Sequence, residues 1–248
     1  MAMIRIINGD DFGYGSNANA AIVKSFKEGW LSSASIMANM PGFDEACDLI
    51  HEHKLNDRVG LHGVLTEGVP LTRKIRKLER FCNADGEFRI TRASRIFHLA
   101  AVEKEGVQEE IRAQIERCRE KGLKLAHIDM HHHIHEEIGI ISLVVPVMRE
   151  FGIPHIRIMG NTSKCCNLRR RFYAMQYNHY LKYKKINRSH YFGSADQYLV
   201  FASGLNGGSE KEIFEIMTHP VINSEGVIID AGNRKPMSQL FEEVECFS

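Results

Sequence analysis

The stretch MIRIINGDDFG, residues 3–13, decides the fold. Its apolar, β-branched part, residues 3–8, predicts a buried strand, and two carboxylates, Asp10 and Asp11, follow where that strand ends. A helix is predicted directly afterwards, at residues 17–28. A buried strand that leads into a helix is the first half of a βαβ unit, so this stretch predicts a parallel sheet.

The same alternation of strands and helices continues along the chain. Further strands are predicted at residues 33–37, 58–62, 125–130, 155–159, 198–202 and 213–218, and further helices at residues 43–53, 107–121, 138–151 and 237–245. Residues 63–95 are predicted to form a charged loop. This order predicts an α/β fold with a mostly parallel sheet. Because no linker or internal repeat interrupts it, we expect a single domain over residues 1–248.

Composition excludes several classes of protein. Hydrophobic residues make up 44% and charged residues 25%, which is incompatible with wholesale disorder. Lys and Arg number 32 against 31 Asp and Glu, so bulk charge does not favour nucleic acid as a partner. No apolar run approaches the ~20 residues of a membrane span, and no secretory signal is visible. The six Cys lack zinc-finger or CxxC spacing, which predicts reduced thiols in a cytoplasmic protein.

Polar clusters follow four of the predicted strands. They are the pair Asp10 and Asp11, then His62, the histidine-rich run at residues 127–135, and His219. Ligand sites of α/β proteins gather at the carboxyl ends of parallel strands, so we expect these clusters to form a site. Carboxylate and neutral imidazole are the ligands of zinc and other divalent ions, and an Asp-His-His set with open positions makes a catalytic metal site.

Each cluster also has a structural interpretation. An Asp-Asp pair after a strand is more often a turn or a helix cap than a site, and a single histidine such as His62 is more often a satisfied polar residue. The five His within residues 127–135 favour metal binding, because strand alternation places several imidazoles on one side. The four clusters together predict metal-dependent chemistry.

Four blocks of the sequence resemble the YdjC-like carbohydrate deacetylases, a family that includes chitooligosaccharide deacetylase. INGDDFG at residues 7–13 resembles the family's N-A-D-D-F-G opening, and GLHGVLTEGVPL at residues 60–71 is similar to its G-[LM]-H-x-x-L-T-x-G-x-P-L block. HIDMHHHIH at residues 127–135 resembles H-L-D-S-H-x-H-x-H, and THP at residues 218–220 is similar to the late H-P-G. The order and spacing match over residues 3–231.

This resemblance implies a distorted (β/α) barrel that hydrolyses the N-acetyl group of an acetylated amino sugar or short oligosaccharide. It implies one divalent ion, zinc or magnesium, held by Asp11, His62 and His131. Asp10 would be the general base and His219 the general acid. The residues expected to contact the substrate or the metal ligands are Asp129, His133, His135 and Thr66.

Three positions depart from the family pattern. Gly9 replaces the usual Ala, Met130 stands where Ser is common, and Val221 replaces the Gly of H-P-G. The exchange of Ala for Gly9 is not expected to affect the site. Met130 is expected to change the wall of the pocket, and Val221 allows fewer backbone conformations than the glycine it replaces.

Two rival functions compete with the deacetylase hypothesis. The first is a metal-dependent phosphoesterase or amidohydrolase built on H-x-H, although such enzymes usually place that motif at the first strand, where this chain has Asp10 and Asp11. The second is a glycan-binding protein without catalysis, which would not need an acid, a base and three metal ligands together.

Residues 161–190 form a basic, Tyr-rich insertion. They contain eight Lys and Arg and no Asp or Glu, and six of the seven Tyr lie between Tyr173 and Tyr198. One interpretation is a solvated insertion or a homo-oligomer contact. The other is a surface for an anionic partner, such as an anionic membrane or a phosphate-linked glycan.

Overall fold

The structure is a computed structural model that describes residues 3–90, 98–162, 168–204 and 212–246. Its strands are β1 (Ile4–Phe12), β2 (Ser33–Ile36), β3 (Val59–Gly63), β4 (His127–Met130), β5 (His155–Ile156), β6 (Tyr191–Ser194), β7 (Ile213–Thr218), β8 (Pro220–Ile222) and β9 (Ile228–Asp230). Its helices are α1 (Ser16–Lys27), α2 (Phe43–Glu52), α3 (Arg73–Arg76), α4 (Ala101–Glu120), α5 (Ile138–Glu150), α6 (Leu168–Tyr183), α7 (Ala195–Ser203) and α8 (Met237–Glu245). Strand pairs β1–β7, β6–β7 and β3–β4 are parallel. The predicted fold class, α/β with a mostly parallel sheet, is confirmed.

The chain divides into two compact units, each assembled from segments that are distant in sequence. The first unit comprises Met1–Asp10, Ser16–Ala34 and Ile156–Ser248, and the second comprises Asp11–Gly15 and Ser35–His155. In the first unit β1 pairs with β7 and β7 with β6, and in the second unit β3 pairs with β4. The prediction of one domain over residues 1–248 stays a prediction.

Strand β1 is longer than predicted, because it continues through both carboxylates to Phe12. In the first unit it pairs with β7 from Ile4 opposite Ile213 to Gly9 opposite Thr218. This register places the carboxyl ends of the two strands side by side, so Asp10 and His219 both follow paired residues.

The strand predicted at residues 198–202 is wrong, because this segment belongs to helix α7. Ser194 caps the helix by accepting a hydrogen bond from the backbone N–H of Gln197, and the Gln197 side-chain oxygen accepts one from the backbone N–H of Ser194. This reciprocal capping starts a helix and overrides the strand preference of the apolar run that follows. Helix α3 interrupts the loop predicted at residues 63–95, and helix α6 and strands β6, β8 and β9 were not predicted either.

Two buried side chains of α4 hold the loop that follows β3. Gln114 accepts a hydrogen bond from Val64 N at 2.9 Å and donates one to Val64 O at 2.7 Å. Glu110 accepts hydrogen bonds from the backbone N–H groups of Leu71 and Thr72 at 3.0 and 2.8 Å. Both side chains are fully buried. These side chains supply the hydrogen bonds that a neighbouring strand would otherwise give to the loop backbone. Helix α4 therefore fixes the position of the loop that carries Thr66 and Glu67.

Three of the described cysteines, Cys47, Cys82 and Cys118, are buried free thiols, and Cys246 is an exposed one. Burial raises the pKa of the Cys47 thiol to about 12. Cys165 and Cys166 lie outside the described residues. None of the helices in the described ranges is long and apolar enough to cross a membrane. The cytoplasmic location stays a prediction.

We expect Gln114→Leu to lower the free energy of unfolding by ~2–4 kcal/mol, because it leaves the buried N–H and C=O of Val64 without partners. Gln108→Leu is the matched control on the same helix, since Gln108 is only part-buried and makes one 3.5 Å bond to Leu143 O. Urea denaturation of both variants measures the difference. Equal stabilities would show that Gln114 does not hold the loop.

Candidate functional site

Three side chains of the second unit bring their ligand atoms to one point. Asp11 Oδ1 lies 3.2 Å from His62 Nε2 and 3.1 Å from His131 Nδ1, and the two imidazole nitrogens are 3.2 Å apart. Both histidines are buried. The structure thus brings together the three residues that the family resemblance implied as metal ligands.

His62 is oriented by a buried carboxylate from the neighbouring strand. In the parallel pair of β3 and β4, His62 lies opposite Asp129, and its Nδ1 is 2.5 Å from Asp129 Oδ1. The other oxygen of Asp129 accepts a hydrogen bond from Ser35 at 3.0 Å. Because a carboxylate only accepts, a neutral His62 carries its proton on Nδ1 and presents a lone pair at Nε2.

His131 is oriented in the same way by Glu67. Its Nε2 lies 2.9 Å from Glu67 Oε2, while Tyr14 donates to Glu67 Oε1 at 2.9 Å. Burial tends to raise the pKa of Glu67, but the hydrogen bonds from His131 and Tyr14 outweigh it and lower that pKa. An ionised Glu67 places the proton of His131 on Nε2, so the lone pair on Nδ1 faces Asp11.

These proton positions leave three electron-rich atoms facing one another, which is the donor set of a divalent cation. Asp11 Oδ1 is buried and has no hydrogen-bond partner among the described residues, so its lone pairs are available to a cation. Tetrahedral zinc with bonds of about 2.0–2.2 Å would separate its ligand atoms by roughly 3.3–3.6 Å, slightly more than the distances seen here. The residues present therefore fit a divalent metal ion.

The histidine run after β4 does not continue as a strand, so the expected alternation of imidazoles is wrong beyond Met130. Residues His131–Glu136 form a 3₁₀ turn in which His132 and His133 both have φ of +54°. His132 Nδ1 lies 3.1 Å from Thr66 Oγ1, and the rings of His133 and His135 meet edge to face with centroids 5.9 Å apart. A left-handed backbone is energetically unfavourable for residues other than glycine, and here two consecutive residues adopt it. Backbone strain of this kind concentrates at functional sites.

Asp11 also has a left-handed backbone, with φ of +68°. This conformation is uncommon outside glycine, although Asp adopts it more readily than most residues.

In the first unit, Asp10 is held by a buried arginine. Arg157 donates two hydrogen bonds to the two Asp10 oxygens, both at 2.7 Å, and a third to Glu215 at 2.6 Å. Asn8 donates a further bond to Asp10 Oδ1 at 2.7 Å. The guanidinium also stacks over the ring of Phe192, with its carbon 4.9 Å from the ring centroid. A bidentate pair of this kind fixes the direction of the carboxylate.

His219 follows β7 and is held by the β8–β9 hairpin. Its backbone N–H donates to Asp230 Oδ1 at 2.7 Å, and its Nδ1 lies 3.8 Å from the same oxygen. Its Nε2 lies 3.9 Å from Asp10 Oδ2. Val221, where the family pattern has glycine, pairs with Ile229 in this hairpin, an extended position that needs no glycine.

Sequence reasoning missed Arg157, Glu67 and Ser35. Arg157 had a readable signal, since it is the one charged residue in the apolar run at residues 156–159 and follows strand β5. Glu67 falls on an unspecified position of the second family block, and nothing in the sequence distinguishes Ser35 from a surface serine.

Comparisons with known proteins agree with the motif resemblance. The family model described as YdjC-like protein matches residues 5–245. A carbohydrate deacetylase of Brevibacillus brevis is 33% identical over 232 residues, which are 93% of this chain and 86% of that protein. A carbohydrate deacetylase of Geobacillus stearothermophilus is 36% identical over 149 residues, 60% of this chain and 57% of that protein.

A solved structure shares the fold. The crystal structure of an Enterococcus faecalis V583 protein superposes with a TM-score of 0.68 at 21% identity, covering 100% of this chain and 92% of that one. Together, the family match across nearly the whole chain and the identity to the Brevibacillus protein place the sequence: the chain belongs to the family of YdjC-like proteins.

Proposed function

We propose that this protein is a metal-dependent carbohydrate deacetylase, a hydrolase that cleaves the amide C–N bond of an N-acetylated amino sugar or short oligosaccharide. The observation that carries the proposal is the convergence of Asp11 Oδ1, His62 Nε2 and His131 Nδ1 within 3.2 Å of one another. The activity named for the Brevibacillus relative supports the reaction.

In this proposal Asp11, His62 and His131 hold one divalent ion, zinc or magnesium. When bound, such an ion acts as a Lewis acid toward water and the acetyl carbonyl. Asp129 and Glu67 would hold the two imidazoles in the tautomers that leave the ligand atoms free to bind it.

Asp10 is proposed as the general base that accepts the proton of the attacking water. Its carboxylate is held by Arg157 and Asn8, so it does not have to be oriented as the reaction proceeds. His219 is proposed as the general acid. The amine nitrogen leaves poorly without a proton, and the His219 imidazole, whose Nδ1 lies 3.8 Å from Asp230 Oδ1, is the group proposed to supply it.

Four further residues are proposed to contact the substrate or to orient the metal ligands. Asp129 already contacts His62, while Thr66 borders His132 beside the ligand cluster. His133 and His135 follow in the same turn. Release of acetate from a panel of N-acetylated saccharides by the metal-loaded protein tests the proposed function, and binding without acetate release would favour a glycan-binding protein instead.

We expect His62→Ala to lose metal affinity by more than ~100-fold and to lose deacetylation with it, because it removes one of three converging ligand atoms. His155→Ala, at an exposed position of β5, is the control and should keep both. Elemental analysis after dialysis measures the bound metal. Full metal occupancy in His62→Ala would refute the ligand assignment.

Asp10→Asn and Asp11→Asn should differ in what they lose. Asp10→Asn should retain metal while kcat falls by ~10²–10⁴, since an amide cannot accept the water's proton. Asp11→Asn should lose metal affinity, because it removes the anionic ligand. Metal content and kcat are measured for both.

Asp10→Asn also removes the charge that pairs with buried Arg157, which can destabilise the fold. Thermal unfolding of both variants is therefore measured as well. Rates are therefore compared for folded protein only. Loss of metal in Asp10→Asn with retention in Asp11→Asn would reverse the two roles, and full activity in both would refute the mechanism.

Asp129→Asn should weaken metal binding by roughly 10–100-fold without unfolding the protein, because the amide no longer enforces the tautomer of His62. Asp48→Asn, an exposed aspartate on α2, is the matched control. Metal titration followed by calorimetry measures both affinities. Unchanged affinity in Asp129→Asn would show that the carboxylate does not act through His62.

A further inference from the structure

A basic cavity of about 840 Å³ lies beside helix α6 in the first unit, and the proposed reaction does not use it. Four cationic side chains line it, namely Arg170, Arg171, Lys182 and Arg188. Among the described residues that line it, none is Asp or Glu. The described lining therefore carries four basic side chains and no acidic one, a composition that attracts anions.

One face of α6 supplies most of this wall. Leu168, Arg171, Phe172, Met175 and Lys182 follow the spacing of a single helical stripe. Ala174, which also lines the cavity, is buried together with Tyr177 and Leu181, and these three side chains anchor the helix. The cavity wall thus extends from the exposed stripe to the buried side of the helix.

The lining face is apolar as well as basic. Leu168 is 80% exposed, Phe172 62% and Met175 56%, and these are three of the ten large hydrophobic residues that stand out as exposed in the described chain. Exposed apolar side chains that cluster beside cations are typical of a site for an amphiphile, since burying them releases water while the cations bind a charged group.

We propose that this cavity binds a phosphate ester that carries an apolar chain. The phosphate would lie against the Arg171 guanidinium and the Lys182 ammonium, and the chain against Phe172 and Met175. Arginine matches phosphate oxygens with a planar fork of N–H donors. A second copy of the chain is a poor occupant, because a symmetric contact would bring these cations against their own copies.

The cavity is linked to the Asp10–Arg157 pair by a short piece of chain. Gly160 and Asn161 line the cavity, and Arg157 precedes Gly160 by three residues, a span of at most ~11 Å between Cα atoms. We therefore infer that the substrate is an acetylated amino sugar linked to a lipid phosphate. This substrate assignment rests on the proposed function, whereas the ligand site does not.

Calorimetric binding of dodecyl phosphate, below its micelle concentration, tests the site. Inorganic phosphate is the probe without a chain, and dodecyl maltoside is the probe without an anion. Dodecyl phosphate should bind at least ~10-fold more tightly than either, because charge-assisted hydrogen bonds and apolar burial act together. Equal affinity for dodecyl maltoside would overturn the anion site, and equal affinity for inorganic phosphate would overturn the apolar part.

Variants locate the site. The double variant Arg171→Gln with Lys182→Gln should weaken dodecyl phosphate binding at least ~10-fold, while the double variant Arg169→Gln with Lys185→Gln should change it less than ~2-fold. Arg169 and Lys185 are exposed but do not line the cavity, so this second double variant removes the same charge and is the matched control. Equal losses in both variants would show general attraction to the helix and overturn the proposal.

Acetate release separates the ligand site from the substrate assignment. If a plain N-acetylated saccharide and its alkyl phosphate conjugate are both inert while dodecyl phosphate binds, the proposed function fails and the cavity proposal stands. If both saccharides react with equal kcat/KM, the substrate assignment fails and the deacetylase proposal stands.

Discussion

Three lone pairs that face one another at 3.1–3.2 Å repel unless a positive charge lies between them, and this constraint organises the second unit. While the imidazoles are neutral, Asp129 and Glu67 hold the single proton of each ring on its outward nitrogen. The inward atoms are therefore left for a cation. The metal site depends as much on the carboxylates behind the histidines as on the ligands themselves.

The two carboxylates behind the histidines are themselves held by hydrogen bonds. Ser35 donates to Asp129, and Tyr14 donates to Glu67, so each orienting group is itself oriented. The loop that carries Glu67 is in turn held by the buried amide of Gln114. Each of these contacts joins segments distant in sequence, which is why changes on α4 are expected to matter for a site that α4 does not enter.

In the first unit, the corresponding constraint is that the buried carboxylate of Asp10 must be paired and held in one orientation. Arg157 meets both oxygens of Asp10 and also binds Glu215, while the Phe192 ring covers the guanidinium. A buried charge network is costly unless every member is paired, so this cluster specifies one geometry. The covalent bond between Asp10 and Asp11 makes the proposed base and one proposed metal ligand consecutive residues of one strand.

The sequence by itself determined the fold class and the residue types of the site. Apolar periodicity predicted most strands and helices, because burial imposes a period of two or 3.6 on any chain that forms them. The four motif blocks predicted Asp10, Asp11, His62, His131 and His219. Local pattern failed at α7, where capping by Ser194 decided between helix and strand.

Only the tertiary structure decided which side chains support the site. Arg157 reaches Asp10 across 147 positions of sequence, and Glu67 reaches His131 across 64. No local pattern records such a partner, because hydrogen bonding between distant segments depends on where the backbone places them. The left-handed turns at Asp11, His132 and His133 are of the same kind, since surrounding contacts rather than residue preference hold them there.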